Sequence, residues 1–109
     1  MTLRKLCEVA DFSAEGKQTF KIASKDIVIF YINDIYYAID QKCSHKGANL
    51  AKGTLKDNTI KCTAHDAVFN LATGDVIQQP NGFIGKQKKI EKLATYKVEK
   101  RDNALFIDI

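Results

Sequence analysis

Two short stretches, Cys43-Ser44-His45 and Cys62-Thr63-Ala64-His65, hold both histidines of the chain and two of its three cysteines. Sixteen residues, 46–61, separate them. Soft and borderline metal ligands gathered this completely into two short segments predict two loops that converge on a metal. Any fold open to the chain must therefore bring residues 43–45 and 62–65 together.

The rest of the composition limits what surrounds such a site. With 109 residues, the chain is expected to form one domain, residues 1–109, able to fold alone but without room for an elaborate active-site cavity. The longest apolar run, Ile27-Val28-Ile29-Phe30-Tyr31-Ile32, is far shorter than the roughly 20 residues a membrane helix needs. The N-terminal residues show neither an apolar core nor a small-residue cleavage pattern, so no signal peptide and a cytoplasmic location are expected. An odd number of cysteines without such a signal argues for thiols that stay reduced or bind metal.

The chain reads as strands and turns. Residues 3–9 mix apolar and polar side chains as a half-buried strand does, with Leu3, Cys7 and Val9 on one side and Cys7 filling space. Residues 11–17 form a loop and 19–22 a second strand. The clearest hairpin joins residues 27–32 to 35–39 through Asn33-Asp34, two residues that tolerate left-handed backbone. Tyr31, Tyr36 and Tyr37 belong to sheet packing. After Asp40, small and turn-prone residues surround the ligand segments, Thr59-Ile60-Lys61 delivers Cys62 at a strand end, and residues 68–70 and 75–77 form a small hairpin. Residues 41–80 thus read as a compact subdomain inserted into a larger sheet. Pro80, with Asn81-Gly82, marks a loop. The basic stretch that follows, up to residue 93, forms an extended, solvent-facing connection, and residues 94–99 and 104–109 a terminal hairpin about a turn at 100–103.

Two thiolates and two imidazoles fit either zinc or an iron–sulfur centre. Common zinc fingers place their cysteines first and their histidines later, whereas each loop here contributes one of each. That order allows a two-iron cluster with both cysteines on one iron and both histidines on the other.

The stretch Cys43-Ser44-His45-Lys46-Gly47-Ala48-Asn49-Leu50-Ala51-Lys52-Gly53, followed by Cys62, His65, Phe69, Gly74 and Pro80, resembles the signature of Rieske [2Fe–2S] proteins, specifically the small ferredoxins that serve oxygenases. The resemblance covers nearly the whole chain. It implies an all-β Rieske fold, an antiparallel β-sandwich base with a small cluster-binding subdomain at about residues 41–80. It further implies one [2Fe–2S] cluster per chain on Cys43, His45, Cys62 and His65, surrounded by Lys46, Gly47, Ala67, Phe69 and Pro80. Rieske centres sit at roughly −150 to +300 mV, against about −400 mV for plant-type ferredoxins. High-potential relatives add a disulfide between the loops and hydroxyl groups near the cluster. Here the matching positions carry no extra cysteine, and Ala67 and Phe69 stand where the hydroxyls are expected. A potential in the lower half of the range follows. Solvent-facing imidazoles would also make that potential depend on pH.

The implied role is a non-catalytic one-electron carrier, passing electrons from a reductase to a terminal oxygenase. The alternatives are a fixed Rieske subunit of a larger reductase complex and a zinc-stabilised binding module. Oxygenation by this chain alone needs a second iron, usually held by two histidines and a carboxylate, and both histidines are already taken. The net charge of +4 gathers partly at Lys86, Lys88, Lys89, Lys92, Lys97, Lys100 and Arg101. This stretch is either a solvated face or a docking face for acidic redox partners, where charge reversal at Lys88 and Lys89 slows electron transfer at low ionic strength. Nucleic acid is not an expected partner, since these cations come without an array of stacking aromatics. A monomer without a membrane span completes the expectation.

Overall fold

The apolar run at residues 27–32 lies at the centre of the molecule. In the computed structural model, which describes residues 3–43, 48–63, 66–79 and 91–109, the run belongs to β3 (Lys25–Ile32). β3 pairs with β2 (Lys17–Ile22) and with β4 (Ile35–Asp40), and β4 pairs in turn with the two-residue β9 (Thr95–Tyr96). All pairings in this central sheet are antiparallel. Four consecutive residues of β3, from Ile27 to Phe30, are at most 1% exposed. Successive strand residues point to opposite faces, so burial of all four means that both faces of the central sheet are covered.

Each face has its own partner. Ile27, Ile29 and Ala38 pack against Ile107, with Leu6, Phe20 and Val98 around them. Ile107 belongs to β11 (Ala104–Asp108), which lies between β1 (Leu3–Glu8) and β10 (Val98–Arg101) in a three-stranded terminal sheet. On the opposite face, Val28, Phe30 and Ile39 join a cluster with Leu50, Ile60, Phe69, Leu71 and Leu93. Ile60 and Phe69 come from a small sheet, β5 (Thr54–Lys56), β6 (Thr59–Lys61), β7 (Val68–Asn70) and β8 (Val76–Gln78), paired in that order. The expected all-β antiparallel architecture is present as three stacked sheets. No helix among the described residues is long and apolar enough to cross a membrane.

Local sequence explains most of the turns. Asn33 and Asp34 both take positive φ (49° and 66°), the twist a two-residue hairpin needs. Ala23 and Ser24 do the same (50° and 65°) between β2 and β3, although neither residue favours that conformation. The six-pair ladder of β2 and β3 imposes it.

Four local expectations need correction. A bulge between Lys5 and Cys7 shifts the register of β1, placing Leu3 opposite Asp108 and Cys7 opposite Leu105. Leu3 and Cys7 therefore lie on opposite faces, and Leu6 is the β1 residue that packs against the Ile27–Ile29 side of the core. Residues 94–99 do not form one hairpin arm: β9 joins the central sheet and β10 the terminal sheet, so this short segment stitches the two together. Leu93, expected in a solvent-facing connection, is buried. Finally, β5 was not anticipated, because Thr54-Leu55-Lys56 has no strand-length apolar pattern of its own.

Candidate metal centre

Cys43 and Cys62 occupy the same place in two hairpins. The Cys43 amide donates to the Ala48 carbonyl at 2.7 Å, and the Cys62 amide donates to the Ala67 carbonyl at the same distance. Each bond extends an antiparallel pairing one step further, Lys42 with Asn49 in the first hairpin and Lys61 with Val68 in the second. In sequence, four residues separate each cysteine from its alanine, residues 44–47 and 63–66. Cys43 and Cys62 thus close equivalent antiparallel pairings, each opposite the alanine that follows it after the same number of residues.

Both thiols are buried, at 3% and 1% exposure, among Leu50, Ile60, Ala67, Phe69 and Leu71. None of the three cysteines is disulfide-bonded. An uncompensated thiolate is costly in such apolar surroundings, whereas a thiolate bound to a cationic metal is not. Directly opposite residues in an antiparallel pair project to one face, so each cysteine shares its face with an alanine methyl on the facing strand. Two soft donors and two small neighbours fit an iron–sulfur group. Among the described residues, no three His, Cys, Asp or Glu side chains form a metal-binding group. His45, Lys46, Gly47, His65 and Pro80 lie outside the described residues, as do Lys86, Lys88 and Lys89.

Several residues that sequence reading passed over hold these hairpins. Asn49 Oδ1 accepts from the Ala51 amide at 3.0 Å and from Gln41 Nε2 at 3.1 Å, tying both strands of the first hairpin together. Lys17 reaches over from β2 to donate to the Ala51 carbonyl at 2.7 Å. In the second hairpin, Asp66 has φ +58°, and its carbonyl accepts from Gln78 Nε2 at 2.9 Å. Gly53 lies so close to β6 that a Cβ there would stand 2.6 Å from the Lys61 carbonyl oxygen. Gly74 has φ +80°, and a Cβ on it would collide with the Leu93 carbonyl oxygen. The close approach lets the Leu93 amide donate to the Gly74 carbonyl at 2.9 Å and seats Leu93 in the buried cluster that also holds both cysteines. The only local signal for Asn49's role is its residue type, an asparagine at the N-cap of the turn at Leu50–Lys52; Gln78 and Lys17 carried none, because their partners are distant in sequence.

A model of the Rieske [2Fe-2S] domain matches residues 2–97. The chain belongs to the Rieske [2Fe–2S] family. Membership implies one [2Fe–2S] cluster, consistent with the buried cysteine pair. The 3-phenylpropionate/cinnamic acid dioxygenase ferredoxin subunit of Escherichia coli (strain K12) is 34% identical over 104 residues, 94% of this chain and 90% of that protein. The protein of the same name from Photorhabdus laumondii subsp. laumondii is 30% identical over 105 residues, 95% of this chain and 91% of its own length. Among solved structures, a chain from the complex of reduced oxygenase and oxidized ferredoxin in carbazole 1,9a-dioxygenase superposes with a TM-score of 0.77 at 23% identity. The match covers 96% of this chain and all of that one. The terminal oxygenase of carbazole 1,9a-dioxygenase from Novosphingobium sp. KA1 gives 0.76 at 19% identity, covering 96% of this chain but 29% of that one. These two likenesses concern the Rieske fold itself.

The described cations of the basic stretch are mostly paired with carboxylates. Within the basic stretch, Arg101 lies 2.9 Å and Lys97 3.5 Å from Glu99 carboxylate oxygens, and Lys92 lies 3.8 Å from Asp75. The Arg101 hydrogen bond, with Lys97 nearby, holds the Glu99 carboxyl below its usual range. The described part of that stretch is therefore partly neutralised from within. Cys7 stands apart: burial pushes its thiol up, with Asp11 and Glu8 adding to the effect, so it has none of the marks of a ligand.

Proposed function

We propose that this Rieske chain is a one-electron carrier, receiving electrons from a reductase and delivering them to a terminal oxygenase. The observation that carries this reading is the matched pair of cysteine hairpins, two buried thiols at equivalent ladder ends. Near full-length similarity to ferredoxin subunits of dioxygenases supports the role. Cys43 and Cys62 are the proposed ligands of one iron, His45 and His65 those of the other, within a cluster-binding subdomain of about residues 41–80. The bound cluster supplies a site that accepts and releases one electron.

The chain's own residues set the conditions for that exchange. Leu50, Ile60, Phe69 and Leu71 keep water from the cysteine side, and the ladder bonds at Ala48 and Ala67 fix where each sulfur emerges. Ala67 and Phe69 are fully buried and bring no hydroxyl, so sulfur charge is left without those donors and the potential falls in the lower half of the Rieske range. The protein is proposed to act as a non-catalytic, cytoplasmic monomer. With both cysteines buried, His45 and His65 are the proposed solvent-side ligands and the proposed route of electron transfer to and from protein partners.

EPR and visible spectra of the dithionite-reduced protein test the reading. A Rieske-type signal with one cluster per chain is expected, and its loss in Cys43→Ala and Cys62→Ala variants. A colourless protein with stoichiometric zinc would refute it.

A further inference from the structure

The small sheet has one face on the core and one in solvent. The register aligns Thr54 with Lys61, Lys61 with Val68, and Val68 with Gln78, a row running across all four strands; Lys56 and Thr59 form the next row. Residues opposite one another share a face. Ile60 and Phe69, in the intervening row, are the buried ones, so the Thr54 to Gln78 row points outward. These six residues line an open trough of about 260 Å³.

The chemistry of the trough is one-sided. Its charged groups are the ammonium ions of Lys56 and Lys61, and no carboxylate lines it. All thirteen aspartates and glutamates of the chain lie among the described residues, and none is within ion-pair distance of Lys56 or Lys61. Elsewhere Lys5, Lys92, Lys97 and Arg101 each have a carboxylate partner. Half-buried Val68 stands in the middle, and Ile77, 56% exposed, sits on the bulged edge strand beside it. Uncompensated cations around a modest apolar centre suit a transient contact with an acidic protein surface. No aromatic side chain lines the trough to stack a base.

The face also adjoins the metal centre. Lys61 immediately precedes Cys62, and Gln78 holds the Asp66 carbonyl in the second hairpin tip. We propose that this outer face of the small sheet is a docking surface for the carboxylate-bearing face of a redox partner, a surface to which the described residues 91–101 contribute no lining residue. The proposal rests on the electron-carrier reading for the partner's identity, and on the trough for its location.

The test uses the cluster-containing protein and an octaglutamate peptide as probe, at low ionic strength. Lys56→Glu/Lys61→Glu is compared with Arg4→Glu/Lys21→Glu, exposed residues of β1 and β2 whose reversal lowers the net charge equally. Peptide affinity is expected to fall about tenfold or more in the first pair and less than about twofold in the second. Amide NMR shifts in the unsubstituted protein are expected at Thr54, Lys56, Thr59 and Gln78. Equal weakening by both pairs, no weakening by either, shifts confined to residues 91–101, or displacement of the peptide by duplex DNA would overturn the proposal. Cluster absorption recorded on the same samples reports separately on the carrier reading, whose failure is a missing cluster rather than a missing peptide site.

Discussion

Ala67→Ser asks whether the side chain opposite Cys62 sets the potential. Ala67 is fully buried, and its carbonyl accepts the Cys62 amide at 2.7 Å, so the two residues are a hydrogen-bonded antiparallel pair. Cβ atoms of such pairs lie about 4.5–5.5 Å apart on the same face, and one further bond on each side brings a serine hydroxyl within reach of the Cys62 sulfur. Reduction places more negative charge on the sulfurs, so a donated hydrogen bond is stronger in the reduced state. A difference of about 0.5–1.5 kcal/mol, the range of one net hydrogen bond, corresponds to a rise of roughly 20–60 mV for a one-electron couple. Ala48→Ser, opposite Cys43 but only half-buried, should give a smaller rise because water competes for its hydroxyl. The assay is a spectroelectrochemical titration of both variants alongside urea unfolding. A hydroxyl that misses the sulfur is left buried and unsatisfied, at a cost of about 1–3 kcal/mol. An unchanged or lowered midpoint with the cluster fully retained, together with a loss of stability in that range, would refute the placement of Ala67 beside the cysteine sulfur.

Gly74→Ala meets the Leu93 carbonyl oxygen and a φ of +80°, so it should destabilise by about 2–4 kcal/mol, combining left-handed strain with loss of the Leu93–Gly74 hydrogen bond. Urea unfolding measures this, and a loss below about 0.5 kcal/mol would show that the chain at residue 93 is not held against the turn. Tyr96 supplies a pH prediction. Burial first, then its hydrogen bond to Asp40 at 2.7 Å, pushes the phenol well above its ordinary range. The unfolded chain ionises from about pH 10 while the folded protein still holds its proton, so this contribution is complete below pH 10 and fades as pH rises above it. Unfolding midpoints followed into the alkaline range should fall less steeply in Tyr96→Phe than in the unsubstituted protein; equal slopes would contradict the assignment.

Much of this fold is written in local chemistry. The β3–β4 hairpin was legible because Asn33-Asp34 accepts left-handed backbone and the flanking runs are β-branched and aromatic. Cys62 at the end of a strand and the β7–β8 hairpin were legible for similar reasons. The β2–β3 turn was not, since Ala23-Ser24 adopts positive φ only under the constraint of its ladder. Nor was the bulge in β1, because a one-residue register shift leaves no mark on composition while moving Leu6 onto the core.

For the metal centre, spacing alone determined which residue types were available: two cysteines, two histidines, and no further pair with which to build a second iron site. Sequence also marked Ala67 and Phe69 as places without hydroxyls. Only the tertiary structure decided that both cysteines are buried at equivalent hairpin ends, each facing an alanine, and that Lys17 from β2, Gln78 from β8 and the non-strand residue Leu93 support those hairpins. The physical reason is range. Ligand chemistry and turn preference act within a few residues, whereas burial and close backbone approach arise when separate sheets close over a shared core. The outward face that carries Lys56 and Lys61 on neighbouring rows of the small sheet likewise exists only once its strands have settled into register.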